Sequence, residues 1–304
     1  MHSPDTVLTL DHFVHWKYEY SKLAVVGHPI KHSISPAMHN AALAEMSKID
    51  RDLLGWRYFR FDVPSDDLPR ALKKFHEEGF VGLNLTVPHK VLAFGHVAQI
   101  DPAARPIGAV NTLLSTADGW RGFNTDGYGL ATAIKETLGR ELTDSHVILL
   151  GAGGAARGAA VECLQRKCAS LWIANRTRLN LDALLIDLAP VAGKIPLHGF
   201  DPQNPPVEIP RDALVINATS AGLKPADEQP IDLTRLPQPS GVYDMIYNPP
   251  ETRLLAQARS LGLPAANGLS MLIHQGARAL EIWTGGPIPV EAMRTAATAA
   301  LGSR

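Results

Sequence analysis

The chain has 304 residues, of which 45% are hydrophobic, and a formal net charge of −1. A single hydrophobic core rarely serves so long a chain, so we expect two domains that need no disulfide or metal to fold. The balanced charge argues against nucleic-acid binding and against a polybasic membrane surface.

The first 20 residues precede the first clear strand and carry several histidine and aromatic side chains. Residues 1–16 contain no Lys or Arg and no continuous apolar run, so no secretory signal is expected. No stretch of 18 uncharged apolar residues predicts a membrane span. Cys163 and Cys168 are expected to be reduced thiols, which suits a cytoplasmic protein. We expect the 20-residue segment to pack on its own domain or on a partner subunit.

The first half of the chain alternates strand and helix patterns. Strands are predicted at 22–27, 56–63 and 81–85, with helices beginning at Pro36 and covering 66–79. Residues 108–115 and 120–123 read as a hairpin, because Asp118-Gly119 is a favoured turn pair.

The second half repeats strand and helix in the order typical of a parallel sheet. Strands are predicted at 146–150, 170–174, 213–217 and 241–245, and helices at 126–138, 154–166, 179–189, 251–261, 268–283 and 289–301. The Pro- and Gly-rich stretches 201–211 and 222–240 are expected to be loops. We expect the chain to return to the first domain near its end.

The segment 146–158 carries the most specific signal, an apolar strand that ends in a glycine turn and opens a helix. Gly151 permits the tight turn, Gly153 lets the backbone approach a phosphate, and Ala156 is small enough for helix–strand packing. The helix N-terminus offers free N–H groups to an anion. This context predicts a Rossmann-type dinucleotide site, although glycine can also serve turn geometry alone.

The turn after the next strand indicates which dinucleotide is bound. NAD enzymes usually place an acidic residue there, against the ribose 2′-hydroxyl. This chain has Asn175, Arg176, Thr177 and Arg178 instead. Guanidinium groups suit a 2′-phosphate, so NADP(H) is favoured over NAD(H), the alternative being a solvated basic turn.

Polar side chains near Pro36 suggest a carboxylate site. In an extended backbone Ser33 and Ser35 point the same way while Ile34 packs on the opposite side. Two hydroxyls beside a helix N-terminus would bind a carboxylate well. The alternative is that Ser35 only caps the helix.

Three further polar segments lie at predicted strand ends. Asn84, Thr86 and Lys90 leave one strand, Asn111 interrupts an apolar stretch, and Asp126 opens a helix. Each has an ordinary alternative, such as a solvated Lys or a helix-capping Asp. Together they supply a cation, a carboxylate and amides, and a Lys–Asp pair could deliver the proton that ketone reduction needs.

The chain resembles the shikimate dehydrogenase family over nearly all of residues 22–302. The resemblance rests on these segments: GHPIKHSISP (27–36), NLTVPHK (84–90), GAVNT (108–112), NTDG (124–127), GAGGAARG (151–158), NRT (175–177), NATS (217–220), YDMIY (243–247) and GLSMLIHQ (268–275).

The resemblance implies two α/β domains with a deep cleft between them. A discontinuous substrate domain would comprise residues 1–125 and 265–304, and a Rossmann-type NADP-binding domain residues 126–264. The implied reaction is the reversible NADPH-dependent reduction of 3-dehydroshikimate to shikimate, in aromatic amino-acid biosynthesis. No metal is implied, and the expected partner is a small-molecule substrate, with a homodimer left open.

The resemblance also assigns roles to individual residues. Lys90 and Asp126 would form the catalytic pair. Substrate would be held by Ser33, Ser35, Thr86, Lys90, Asn111, Asp126, Tyr247 and Gln275. The cofactor would be held by Gly151, Gly153, Gly154, Ala155, Asn175, Arg176, Thr177, Arg178, Thr219, Met245, Gly268 and Met271.

One departure from the family pattern bears on the cofactor. Asn180 stands near the place where the family often has a second Arg, which leaves the details of the 2′-phosphate clamp open. The rival functions are an NAD-dependent quinate paralogue, a folate-type dehydrogenase of similar architecture, and an NADP-binding regulator without catalysis.

Overall fold

The computed structural model describes residues 6–16 and 18–302, apart from the side chain of residue 15. Within that range the chain divides by its internal contacts into two compact units. The first unit ends at Thr125 and resumes at Gln275, and the second runs from Asp126 to His274. The second boundary thus falls later in the chain than residue 265, where we placed it.

The first unit is built on a seven-stranded mixed sheet in the order β1-β3-β2-β4-β6-β7-β5. The strands β1 to β4 run parallel, while β6 is antiparallel to both β4 and β7. Its strands are β1 (Val7–Leu8), β2 (Lys22–Gly27), β3 (Arg57–Asp62), β4 (Phe80–Leu85), β5 (Gln99–Ile100), β6 (Thr112–Thr116) and β7 (Gly119–Phe123). Its helices are α1 (Ser35–Met46), α2 (Leu68–Glu77), α3 (His89–Leu92) and α9 (Val290–Gly302).

The second unit is built on a six-stranded parallel sheet in the order β10-β9-β8-β11-β12-β13. Its strands are β8 (His146–Leu150), β9 (Ser170–Ala174), β10 (Leu197–Phe200), β11 (Leu214–Asn217), β12 (Gly241–Asp244) and β13 (Ala265–Ala266). Its helices are α4 (Asp126–Leu138), α5 (Gly154–Gln165), α6 (Arg178–Ala192) and α7 (Arg253–Ser260), and α8 (Leu269–Thr284) crosses the boundary between the units. The strand order reverses between β8 and β11, and open parallel sheets bind ligands at such a switch point.

The predicted α/β fold class, with a Rossmann-type unit, is confirmed. Several short elements were not predicted. Residues 86–90 were read as a polar continuation of a strand, but His89 begins the short helix α3. The strands β5, β10 and β13 were missed because two to four residues show no clear periodicity.

The described part of the N-terminal segment packs on its own unit. Strand β1 pairs with β3 in parallel. Phe13 is only 6% exposed, and its ring contacts those of Phe61, Phe75 and Phe80. The segment therefore supplies part of the hydrophobic core. His2, one of the histidines of this segment, lies outside the described residues.

Trp283 fixes the C-terminal part of α8 to the sheet of the first unit. Its Nε1 donates a hydrogen bond to the carbonyl oxygen of Leu113 at 2.9 Å. A Cβ atom at Gly82 would lie 2.1 Å from the same Nε1, so strand β4 needs glycine at this position. The Trp283 indole thus packs the C-terminal part of α8 against β4 and β6.

Truncation of Phe13 tests the contribution of the N-terminal segment to stability. We expect Phe13→Ala to lower the free energy of unfolding by about 3–5 kcal/mol, the usual cost of removing a buried phenyl ring. Val14→Ala is the matched control, because Val14 is 77% exposed. Urea titration of both variants measures the difference, and equal losses would contradict the core role of Phe13.

Candidate active site

The loop that carries Ser33 and Ser35 is fixed by hydrogen bonds to the backbone. The Arg60 guanidinium donates to the carbonyl oxygens of Lys31 at 2.7 Å and Ser33 at 2.9 Å. The backbone N–H of Ser35 donates to the Ser33 hydroxyl at 3.3 Å. Both serines are partly buried. Two hydroxyls therefore stand together where α1 begins.

A buried polar network lies beside these serines. The Tyr58 hydroxyl donates to Asn84 Oδ1 at 2.7 Å, and the Tyr58 ring stacks on His39, whose Nδ1 lies 2.9 Å from the Ser35 carbonyl oxygen. Asn84 Nδ2 donates to the Asn111 carbonyl oxygen at 3.1 Å and to Thr112 Oγ1 at 3.0 Å. Tyr58, Asn84, Asn111 and Thr112 are each at most 7% exposed. The network therefore connects Tyr58 to the predicted substrate residue Asn111.

Asn111 is itself held at both ends of its amide. Its Oδ1 accepts a hydrogen bond from the backbone N–H of Thr125 at 2.8 Å, and its Nδ2 donates to Thr125 Oγ1 at 3.0 Å. Thr125 directly precedes Asp126, which begins α4 and the second unit. The side chain of Asn111 is thus fixed to Thr125, the residue directly before Asp126.

Thr86 and Lys90 are placed by the backbone after β4. A Cβ atom at Gly27 would lie 2.5 Å from Thr86 Cγ2, so the threonine methyl packs directly on β2. The buried His89 ring bonds to the Val63 carbonyl oxygen at 2.8 Å and anchors α3. The backbone N–H of Val110 donates to the Lys90 carbonyl oxygen at 2.9 Å. Lys90 and Asn111 are therefore neighbours through their backbones.

Gln275 is the first residue of the returning part of the first unit, and it is partly buried. The next residue, Gly276, packs against the His39 ring, since a Cβ atom there would lie 3.2 Å from Cε1. His39 Nδ1 lies 2.9 Å from the Ser35 carbonyl oxygen. Six of the predicted substrate-binding residues belong to the first unit: Ser33, Ser35, Thr86, Lys90, Asn111 and Gln275.

Burial lowers the pKa of His39 to about 4, because the charged imidazolium would lose its hydration. The ring has no exposed surface and stacks on Tyr58 with centroids 4.0 Å apart. His39 is therefore neutral in the folded protein at neutral pH.

The low pKa of His39 predicts a loss of stability in acid. As pH falls below about 6.5, the unfolded chain binds a proton that the folded chain rejects until about pH 4. Between pH 7.5 and pH 5 this costs about 2 kcal/mol of the free energy of unfolding. Urea titrations should show a smaller loss for His39→Gln than for the wild type, whereas His96→Gln, at an exposed position, should match the wild type. Parallel losses in all three proteins would contradict this role of His39.

The second unit contains the glycine turn at the switch point between β8 and β11. Gly151 has φ +110°, a conformation that favours glycine, and a Cβ atom there would lie 3.0 Å from Thr219 Cγ2. At Gly153 and Gly154 nothing lies within 4 Å of a Cβ position. The helix α5 begins at Gly154. The open space above a helix N-terminus fits a pyrophosphate.

A cavity of about 980 Å³ extends from this turn. The predicted cofactor residues that line it are Gly151, Gly153, Asn175, Arg176 and Thr219. Gly154 lines a neighbouring cavity of about 270 Å³ together with Arg157 and Asn180. Arg176 supplies a cation in the wall of the larger cavity.

The other residues of the 175–178 turn interact with their own segment. The Arg178 side chain, 74% exposed, pairs with Asp182 one turn further along α6 at 2.9 Å. Asn175 Nδ2 donates to the Thr177 carbonyl oxygen at 2.9 Å. Arg176 is therefore the guanidinium of this turn that faces the cavity.

A buried cluster joins the loops that follow β11 and β12. Asp244 has no exposed surface and accepts hydrogen bonds from Asn217 Nδ2, Thr252 Oγ1 and the backbone N–H of Ile246. Asn217 Oδ1 accepts from both the backbone N–H and the hydroxyl of Thr219. Burial raises the pKa of Asp244 above its usual range.

The same cluster positions the predicted residues around Met245. A Cβ atom at Gly268 would lie 2.1 Å from the Met245 carbonyl oxygen, so the two segments meet at backbone distance. The backbone N–H of Met271 donates to the Tyr243 hydroxyl at 3.2 Å. Tyr247 follows in the loop after β12 and is partly buried. Ala155 lies in the first turn of α5.

Sequence reasoning missed several residues of this site. Tyr58 belongs to the segment 56–63, whose alternating pattern predicts only a strand. In the second unit, Gln203, Arg235 and Arg253 line the large cavity, although their segments were read only as loops or as part of a helix. Of these three, only Gln203 follows the end of a strand, and that strand, β10, was not predicted.

Comparisons with known proteins agree with this architecture. The family model described as the shikimate dehydrogenase substrate binding domain matches residues 25–113, and that of the Shikimate 5'-dehydrogenase C-terminal domain matches residues 268–298. A relative from Symbiobacterium thermophilum, named shikimate dehydrogenase (NADP(+)), is 40% identical over 92% of this chain and 94% of its own.

Two solved structures add to the comparison. Shikimate 5-dehydrogenase from Thermus thermophilus, in complex with NADP(H) and shikimate, is 36% identical with a TM-score of 0.80, covering 92% of this chain and 99% of that chain. Quinate dehydrogenase from Corynebacterium glutamicum, in complex with NAD, has the same TM-score at 27% identity and covers 92% and 99% of the two chains.

The Rossmann-type unit and the polar site of the first unit define an oxidoreductase of the dinucleotide-dependent class. The identity and coverage of the relatives then decide the particular family: the chain belongs to the shikimate dehydrogenase family. Among the residues that the structure describes, no helix combines the length and apolar character needed to cross a membrane.

Proposed function

We propose that this protein catalyses the reversible NADPH-dependent reduction of 3-dehydroshikimate to shikimate. One observation carries the proposal: the chain matches a relative named shikimate dehydrogenase (NADP(+)) at 40% identity over 92% of its length. The polar side chains described above support it, because both members of the expected Lys–Asp pair are present. A regulator without catalysis would have no need to keep Lys90 and Asp126.

The first unit is proposed as the substrate-binding domain. Ser33 and Ser35, with Tyr247 from the second unit's sequence, would hold the substrate carboxylate. Thr86, Asn111, Asp126 and Gln275 would bind the ring hydroxyls. The network through Tyr58 and Asn84 supports this assignment, because Asn84 bonds to the Asn111 backbone and the Tyr58 ring stacks on His39, which bonds to the Ser35 carbonyl oxygen.

The second unit is proposed as the NADP-binding domain. Gly151, Gly153, Gly154 and Ala155 would hold the pyrophosphate through the N-terminus of α5. Asn175, Arg176, Thr177 and Arg178 would surround the adenosine 2′-phosphate, with Arg176 as the cation in the cavity wall. Thr219, Met245, Gly268 and Met271 would line the nicotinamide side.

Lys90 and Asp126 would handle the proton. When bound, NADPH supplies the hydride that adds to the carbonyl carbon. Negative charge then develops on the carbonyl oxygen, where the Lys90 ammonium would stabilise it and help deliver a proton. Asp126 would keep that ammonium charged and oriented. In the reverse direction the same pair would take the proton from the substrate hydroxyl.

A direct assay tests the proposed function and its close rival. Purified protein with shikimate and NADP⁺ should raise the absorbance of the reduced nicotinamide. We expect a higher kcat/KM for shikimate with NADP⁺ than for quinate with NAD⁺, because Arg176 offers a cation where NAD enzymes carry an acidic residue. A preference for quinate with NAD⁺ would favour the paralogue, the function printed for the C. glutamicum structure.

Replacement of Lys90 tests its proposed role. Lys90→Ala should lower kcat at least about a hundredfold, the scale of losing a proton-transfer group. NADPH binding, measured by fluorescence titration, should be retained. Lys73→Ala is the control, since Lys73 is an exposed residue of α2. Unchanged turnover in Lys90→Ala would refute this assignment.

A cytoplasmic location and a homodimeric assembly are also proposals. The thiols of Cys163 and Cys168 are both buried and unpaired with each other, which suits a reducing compartment such as the cytoplasm. Light scattering would measure whether the protein is a homodimer.

A further inference from the structure

We propose that Glu136 is a positioning residue that sets the orientation of α8 and thereby places Gln275 for binding of the substrate ring. The inference rests on the proposed function, which assigns Gln275 to a ring hydroxyl. It gives a role to Ser270 and His274, two residues of the segment 268–275 to which the resemblance assigns none.

One carboxylate oxygen of Glu136 bridges two turns of α8. Glu136 Oε2 accepts a hydrogen bond from Ser270 Oγ and lies 3.1 Å from His274 Nε2. A carboxylate accepts hydrogen bonds and does not donate them, so the His274 ring is the donor in the second bond. Ser270 and His274 are four residues apart and therefore lie on the same face of the helix. The two bonds act on consecutive turns of that face.

The bridge lies within the second unit, to which all three residues belong. Ser270 is 4% exposed, and the side chain of His274 is 12% exposed. The Glu136 side chain is 38% exposed, and an ion pair that is open to water adds little to stability. We therefore expect the bridge to matter mainly for the orientation of α8.

The helix α4 provides a fixed support for Glu136. Leu130, Ala133 and Ile134 of this helix have no exposed surface. A Cβ atom at Gly127 would lie 2.3 Å from Glu162 Oε2, so the start of α4 packs closely on α5. Because α4 is held along its length, a bond from Glu136 can restrain a second helix.

The first turn of α8 has anchors of its own. Asn267 Oδ1 accepts a hydrogen bond from the backbone N–H of Leu269 at 3.1 Å. The Tyr243 hydroxyl accepts one from the backbone N–H of Met271 at 3.2 Å. The bridge from Glu136 extends this restraint to the next turn, which contains His274.

The position of Gln275 depends on the rotation of α8 about its own axis. Gln275 directly follows His274, so its side chain leaves the helix about 100° further round. The end of a side chain lies about 6 Å from the helix axis, so a rotation of about 10° would move the Gln275 amide by about 1 Å. A binding group displaced by that distance loses much of its productive geometry.

The experiment compares Glu136→Ala with Glu141→Ala, a change at an exposed glutamate that pairs with Lys135. We expect Glu136→Ala to raise KM for shikimate about fivefold, the size of one net hydrogen bond. Glu136→Gln should stay near the wild-type value, because its amide oxygen still accepts from both donors. Glu141→Ala should match the wild type. An unchanged KM for shikimate in Glu136→Ala would overturn the inference.

Cofactor binding separates positioning of Gln275 from a general disturbance of the second unit. The Kd for NADPH, measured by fluorescence titration, should be unchanged in Glu136→Ala. The reason is that Met271 and Gly268 keep their contacts with Tyr243 and Met245 in this variant. Equal losses of NADPH and shikimate binding would indicate a general disturbance and would overturn the role.

A double-mutant cycle tests whether Glu136 acts through Gln275. In the Gln275→Ala background, Glu136→Ala should add little to KM for shikimate, because the amide that it positions is already absent. Effects that multiply would mean that Glu136 acts independently of Gln275, which contradicts the inference.

A second pair of variants serves if Glu136→Ala does not fold. His274→Leu removes one donor of the bridge, whereas His274→Gln keeps an N–H group at that place. KM for shikimate should rise in His274→Leu and stay near the wild-type value in His274→Gln. Equal KM values in the two variants would count against the bridge.

The wild-type assay keeps the two proposals apart. Absence of shikimate turnover in the wild type would refute the proposed function, and the role of Glu136 with it. Turnover in the wild type with equal KM in Glu136→Ala would refute only the role of Glu136.

Discussion

The substrate side of this protein depends on the amide of Asn84, which lies 7% exposed between three strands. Because Asn84 is almost fully buried, its polar atoms need partners in the protein. Its nitrogen bonds to the Asn111 carbonyl oxygen and its oxygen to Tyr58. One side chain thereby fixes the relative positions of β3, β4 and β6 and of the residues at their ends.

A buried carboxylate has the corresponding role in the second unit. Asp244 accepts hydrogen bonds from Asn217, from Thr252 and from the backbone N–H of Ile246 in its own segment, and Asn217 continues the network to Thr219. The loops beside the glycine turn are therefore ordered before any ligand binds. In both units, buried polar side chains require hydrogen-bond partners. The hydrogen bonds that satisfy them fix the geometry of the site.

The sequence correctly predicts the features that depend only on consecutive residues. The glycine turn at 151–154 and the helix at 126–138 stand as expected, because glycine requirements and helical periodicity appear in consecutive residues. Tyr58 was missed because its importance comes from partners distant in the chain. Arg178 was grouped with Arg176, but its pairing with Asp182 depends on a choice of rotamer.

The missed elements have similar explanations. Strand β10 has four residues and contains a glycine, so its pairing with β9, rather than its own pattern, makes it a strand. The N-terminal segment could pack on its own domain or on a partner, and only contacts such as Phe13 with Phe61 decide between them.

Gly153 and Gly154 have a consequence for how this family can change. Gly153 has an ordinary extended backbone, and a side-chain carbon at either residue would meet no protein atom. Folding alone would therefore accept alanine at both positions, and alanine would even restrict the unfolded chain. Glycine at these two positions leaves space above the N-terminus of α5, and larger side chains there would fill that space without disturbing the fold.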